Sequence, residues 1–340
     1  MRAHRRSFLT IVGMLVAQLV VAGAPVAGAE SSVERLAGGN RFATAVAVSQ
    51  AQYPEGAPLT FIATGANYAD ALSISAAASG LGPVLLVERD RLPSETADEL
   101  ERLSPFGIVV VGGTAAISDQ TMIAVARYAG RETRRIAGSN RFATAAEISQ
   151  AAFETGSDVV FVASGHDFRD ALAAAPAAAA FTAPMLLTAP TALPDATEEE
   201  LRRLTPQRIV VVGSTDDVSD GVVARLRDLA PEVLRIGDPD DEVTSAEVSR
   251  ATFTSSGIAF VATSVAFADG LTGGAFAGAI PAPLLLVSQD EVSEAVKCEL
   301  VRLGVRNIVV LGGPAAVSER VAAELEAGYE AEDVPGCQAA

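Results

Sequence analysis

Arg41 and Arg141 are the residues whose type and setting come nearest to a binding chemistry in this sequence. Each follows an asparagine, Asn40 and Asn140, of the kind that caps a helix. Each guanidinium would then be a charged fork at the positive end of a helix dipole, suited to an anion. The competing reading is an arginine paired with an acid of a neighbouring segment. Upstream stand Arg35 and Arg135, which with Arg41, Arg141, Asn40 and Asn140 make up the candidate binding residues, and Arg235 holds a matching place where the later arginine is lost. That persistence favours a structural role for them over anion contact. Gly112-Gly113, Gly213-Ser214 and Gly312-Gly313 each end an apolar strand and lead toward a helix, so their N–H groups could cradle an anion or merely make a tight turn. No G-x-G-x-x-G or Walker lysine accompanies them, which excludes the nucleotide readings.

Other constellations are weaker. Asp238-Pro239-Asp240-Asp241-Glu242 could offer carboxylates to Ca²⁺, but the glycine spacing of a dedicated calcium loop is missing, so it reads as a solvated acidic turn. His166, in Ser164-Gly165-His166-Asp167, invites a Ser/His/Asp hydrolase. The nucleophile-elbow pattern is absent and a loop histidine is the better reading. With two histidines and two cysteines in 340 residues, no metal or cofactor is expected. Asp and Glu number 42 against 25 Lys and Arg, a formal charge of −17, which argues against a duplex-coating nucleic-acid binder. Any anionic partner must be met by local arginines.

Arg2, Arg5 and Arg6 precede an apolar run from Phe8 to Val21, followed by Ala27-Gly28-Ala29, the three-part pattern of a secretory signal peptide over residues 1–29. Its core is too short to span a bilayer, and no later segment is apolar enough, so no transmembrane segment is expected after cleavage. Export would let Cys298 and Cys337 pair.

The elements that must position these residues recur. Of the 16 positions from 35 to 50, 11 are identical one hundred residues later, and a third copy begins at Arg235-Ile236. Asp70-Ala-Leu, Asp170-Ala-Leu and Asp269-Gly-Leu follow, then Pro83-Val-Leu-Leu, Pro184-Met-Leu-Leu and Pro283-Leu-Leu-Leu. The copies occupy 33–132, 133–232 and 233–329, leaving a tail at 330–340. Short apolar runs alternate with helical stretches, which in the first copy predicts strands near 59–63, 84–88 and 107–111 and helices near 41–52, 69–80, 94–103 and 118–129. Strands apolar on both faces imply parallel sheets covered by helices on each side, a three-layer α/β sandwich per copy. The helix after each Asp-Ala/Gly-Leu has no charged face and is rich in Ala, Gly and Ser. It is expected to be buried on all sides, packing against its counterparts as an intrachain pseudo-threefold trimer.

Those triplicated motifs, Arg-(Leu/Ile)-Ala-Gly-x-Asn-Arg-Phe-x-Thr, Asp-Ala-Leu, Pro-x-Leu-Leu and Val-Val-Gly-Gly, resemble the cell-wall-binding repeat 2 family over about residues 33–329. The resemblance implies three Toprim-like, flavodoxin-like α/β sandwiches in a compact triangle. It also implies a secreted cell-surface protein that attaches non-covalently to an anionic secondary polymer of the Gram-positive wall. Members usually carry an effector domain besides; here leader, repeats and tail fill the sequence, so an anchoring array without catalysis is expected. A surface adhesin or scaffold for other surface proteins is the alternative, and a wall hydrolase a more distant one. The third copy departs from the pattern: Asp241 stands where Arg41 and Arg141 do, so its site is expected to bind the ligand unequally.

Overall fold

The computed structural model describes residues 31–68 and 72–330, with Glu332, Val334 and Cys337 of the tail. The leader at 1–29, Asp70 and the rest of the tail lie outside the described residues. The first eight elements are β1 (Ser32–Leu36), α1 (Arg41–Gln52), β2 (Leu59–Thr64), α2 (Leu72–Ala78), β3 (Val84–Val87), α3 (Ser94–Leu103), β4 (Gly107–Val111) and α4 (Asp119–Ala126). The next eight repeat them as β5 (Glu132–Ile136), α5 (Arg141–Ala152), β6 (Val159–Ser164), α6 (Arg169–Ala180), β7 (Met185–Thr188), α7 (Asp195–Leu204), β8 (Arg208–Val212) and α8 (Asp220–Leu226). The last eight are β9 (Glu232–Ile236), α9 (Asp241–Thr252), β10 (Ile258–Thr263), α10 (Phe267–Ala279), β11 (Leu284–Val287), α11 (Glu294–Leu303), β12 (Asn307–Leu311) and α12 (Glu319–Ala327).

Helices α1 and α3 match the sequence expectation residue for residue. The helix expected at 118–129 is α4, which starts one residue later because the Ser118 hydroxyl caps it, accepting from Thr121 N. All strand pairs are parallel, in three four-stranded sheets. Within each strand the two faces serve different cores. Phe61, Ala63, Val109 and Val111 join an interior shared by all three repeats, whereas Ile62, Ile108 and Val110 pack with Leu100 of α3 and Val125 of α4. That alternation, repeated in the other two copies, is the expected three-layer arrangement.

Each sheet has a fourth strand that the sequence reading lacks. The first is ordered β3-β2-β4-β5 and the second β7-β6-β8-β9, so each takes its edge strand from the next repeat. The third, β11-β10-β12-β1, takes its edge from the start of the described chain, with Arg35 opposite Val310. The sheets are thus out of phase with the sequence repeat by one strand. Ser-Val-Glu-Arg-Leu is hard to read as a strand because it is an edge, buried on one face only, and its partner lies at the far end of the sequence.

Helices α2, α6 and α10 pack on one another. The Ser75 hydroxyl donates to the Leu271 carbonyl at 2.8 Å, and a Cβ built on Gly278 would lie 2.7 Å from Ala179 Cβ. Small residues are therefore required by the close approach of three backbones. Gly278→Val is expected to cost about 1–3 kcal/mol by overpacking, measured as a lowered urea midpoint; an unchanged midpoint would contradict this packing.

Two further devices hold the repeats. In each, a buried glutamate on the third helix accepts from a serine on the first: Ser49–Glu99, Ser149–Glu200 and Ser249–Glu299, all at 2.5 Å. The same carboxylates take two hydrogen bonds from Arg102, Arg203 and Arg302, each at 2.7 Å. Cys298 of α11 is disulfide-bonded to Cys337, as the sequence suggested, tying the tail to the third repeat.

Candidate functional site

The loops leaving β6 and β10 run directly into α6 and α10, and α2 follows β2 in the chain, so three mutually packed helices begin near the carboxyl ends of the central strands. Open α/β sheets place ligands at such strand ends. Three aromatic rings close this end of the helix trio. Tyr68 and Phe168 have centroids 5.4 Å apart, Tyr68 and Phe267 5.7 Å, and Phe168 and Phe267 6.1 Å. The Tyr68 hydroxyl donates to the His166 carbonyl at 2.7 Å, linking the first repeat to the second.

An arginine lies over each ring. Arg41 stands 5.8 Å from the Phe267 centroid, Arg141 5.9 Å from Tyr68, and Arg169 5.2 Å from Phe168. The first two contacts cross between repeats. Arg41 and Arg141 also donate to the carbonyls of Gly65 and Gly165, which fixes one edge of each guanidinium. Asn40 and Asn140 act as the expected caps: the Asn40 side chain accepts from Phe42 N and Ala43 N at 2.9 Å, and Asn140 does the same for α5. Asn40 also donates to Glu95 at 3.0 Å.

The other sequence candidates lie in a different setting. Arg35 donates to the carbonyls of Gly312 and Val317, both at 2.9 Å. Arg135 holds the Gly112 carbonyl at 2.7 Å, and Arg235 those of Gly213 and Ser214 at 2.9 and 2.7 Å. These arginines therefore fasten each edge strand to the glycine turn of the sheet it completes. In those turns the N–H groups of Gly112, Gly213 and Gly312 bond to the carbonyls of Ile136, Ile236 and Leu36, extending the ladder. At Ser214 the N–H donates to the Asp217 carboxylate at 3.0 Å. All three leading glycines have φ near +100°, from +96° to +120°, a backbone only glycine adopts without strain. Gly113 and Gly313 have open space around them.

Asp240 caps α9, accepting from Glu242 N, and Asp241 pairs with Arg169 at 3.3 Å. Among the described residues no group of three or more His, Cys, Asp or Glu side chains is placed to hold a metal. His166 is an exposed loop residue stacked on Phe142. A depression of about 900 Å³ between β5 and the end of α5 is lined by Arg134, Arg135, Glu147, Glu154 and Asp158 among others. Acids outnumber bases there, so it serves an anion poorly. Among the described residues no helix is long and apolar enough to cross a membrane.

Arg169 and the aromatic trio escaped the sequence reading. An aromatic residue two positions before each motif aspartate was the available signal, but nothing local says that three such residues meet.

Comparison with known proteins finds three tandem matches to the model of Cell wall binding domain 2 (CWB2), at residues 35–122, 135–223 and 235–322. The N-acetylmuramoyl-L-alanine amidase LytC of Bacillus subtilis (strain 168) is 30% identical over 322 residues, 94% of this chain and 63% of that protein. The amidase enhancer of the same organism is 30% identical over 267 residues, 78% of this chain and 36% of the relative. The chain thus spans less than two thirds of either relative. Among solved structures, Cwp6 from Clostridium difficile gives a TM-score of 0.82 at 23% identity, covering 92% of this chain and 50% of that one. Cwp8 from the same organism gives 0.75 at 26% identity, with 87% and 52% covered.

Proposed function

The chain belongs to the Cell wall binding domain 2 (CWB2) family, and from that premise we propose that it is a secreted, non-catalytic anchor holding an anionic polymer of the cell wall. The observation that carries this reading is the end of the helix trio, where Arg41 and Arg141 lie over aromatic rings contributed by other repeats. Arginine delivers paired donors in a fixed fork. Half-buried rings offer an apolar floor for the carbon face of a sugar. Each contact is weak, and several on one rigid face lengthen residence by effective concentration. The leader at 1–29 would deliver the protein to the wall. Arg35 and Arg135 support the face rather than touch the polymer, because they hold the carbonyls of the Gly312 and Gly112 turns.

Immobilised protein should retain an anionic glycopolymer from fractionated wall extracts, with retention falling about tenfold or more between 50 and 200 mM salt if several fixed charges are neutralised. Retention of neutral glycan alone, or of proteins alone, would overturn the proposal. Protein capture without polymer would favour an adhesin.

A further inference from the structure

The seam between the second and third repeats is built unlike the one that joins the third to the first. Across the latter, the motif aspartate Asp269, its pKa raised by its own burial, faces an arginine, Arg41, whose charge favours the ionised form. Across the former, its counterpart Asp170 meets Asp241 where the arginine would stand. Thr244, the counterpart of Thr44, turns its hydroxyl to the Asp238 carbonyl, at 3.0 Å. Asp170 is 3% exposed and presses on the turn: a Cβ built on Gly213 would lie 2.5 Å from its Oδ2.

The groups around Asp170 come from every neighbouring element. Asp167 and Arg169 lie at the start of α6, Asp217 in the loop after β8, and Asp241 at the start of α9, with Asp240 beside it. Arg235 of β9 lies behind the Gly213 turn and is engaged by carbonyls. Asp167, Asp217 and Asp241 are matched by no acid in the other repeats, where Asn67 and Ala266, Ala116 and Ala316, and Arg41 and Arg141 stand. Arg169 is matched by Ala69 and Ala268. It is the cation facing this cluster, bonded to Asp167 at 2.6 Å, Asp241 at 3.3 Å and the Ser264 carbonyl at 2.8 Å.

We propose that this seam is a proton-operated latch on the binding face: protonated, it holds the second and third repeats together, and deprotonated it loosens and makes the face beside Arg169 more acidic. The polymer half of this rests on the wall-anchor reading. Burial, and then Asp217, Asp241 and Asp167, push the Asp170 carboxyl up to about 8, and burial also raises Asp241. A carboxyl raised in the fold stays protonated where the unfolded chain has lost its proton. Its stabilising contribution is therefore complete below the ordinary aspartate range near 4 and lost as pH climbs toward about 8. The same titration adds negative charge beside Arg169, which already pairs with Asp167 and Asp241, and so makes the face less favourable to an anion.

Thermal unfolding of the full chain at pH 5.5, 7.0 and 8.5, at constant ionic strength, tests the latch. The wild-type midpoint should fall by about 5 °C or more across that range, while Asp170→Asn and Asp241→Arg should each remove most of the fall. Wall sedimentation run in parallel should weaken several-fold with rising pH in wild type and much less in either variant. A flat wild-type midpoint, or an equal fall in both variants, overturns the latch and leaves wall binding untouched. A latch seen in unfolding but with pH-independent sedimentation overturns its regulatory half. Absence of sedimentation at every pH overturns the wall-anchor reading, and with it that half.

Discussion

Replacing Arg41 and Arg141 together by glutamate is expected to reduce co-sedimentation with purified wall by about a hundredfold, since each charge-assisted hydrogen bond is worth about 1.5–3 kcal/mol. Both guanidinia sit over rings from another repeat, with one edge fixed by a glycine carbonyl. Reversing the charge removes the forks and adds repulsion at the place where the polymer's anions would lie. The change also deletes the bonds to Gly65 and Gly165, so the unfolding midpoint must be followed alongside. The Arg41→Lys, Arg141→Lys pair separates the two effects: lysine keeps the charge without the planar fork, and should retain part of the binding. Undiminished sedimentation of a folded glutamate pair would remove these arginines from the site.

The second large effect concerns stability. Glu200→Ala should lower it by about 3–5 kcal/mol, the usual cost of breaking a buried pair by deleting one partner, read as a drop in the urea midpoint. Glu200 is 1% exposed, accepts from Ser149, and takes both donors of Arg203, which in turn reaches the Phe153 carbonyl at 2.9 Å. Without the carboxylate, a buried hydroxyl and half of a guanidinium lose their partner, and α5 is no longer clamped to α7. The same triad recurs at Glu99 and Glu299, so the equivalent alanines should behave alike. A loss below 1 kcal/mol at all three would show that the lock contributes specificity of packing and little stability.

Both predictions turn on residues that the sequence displays but does not connect. The recurrence of Arg41 at Arg141, and the loss of that arginine at Asp241, are plain one hundred residues apart. That Asp241 instead pairs with Arg169 is a contact between repeats, and no periodicity within one repeat carries it. The buried glutamates follow the same logic: Glu99 and Arg102 look like one more exposed i,i+3 pair on an amphipathic helix, until α1 is laid across them.

Local physics therefore settled most of the local structure. Apolar strands bounded by Gly and Pro, the Asn40, Asn140 and Ser118 caps, and a small-residue helix with no polar face leave few alternatives within one repeat, because each is fixed by neighbours in sequence. The placement of β1, β5 and β9 was decided only in three dimensions. An edge strand needs hydrogen-bond partners on one side alone, and its sequence does not say which sheet will supply them. The binding face is of the same kind. Three rings and three arginines become one surface only because three helices of alanine, serine and glycine are slim enough to lie side by side.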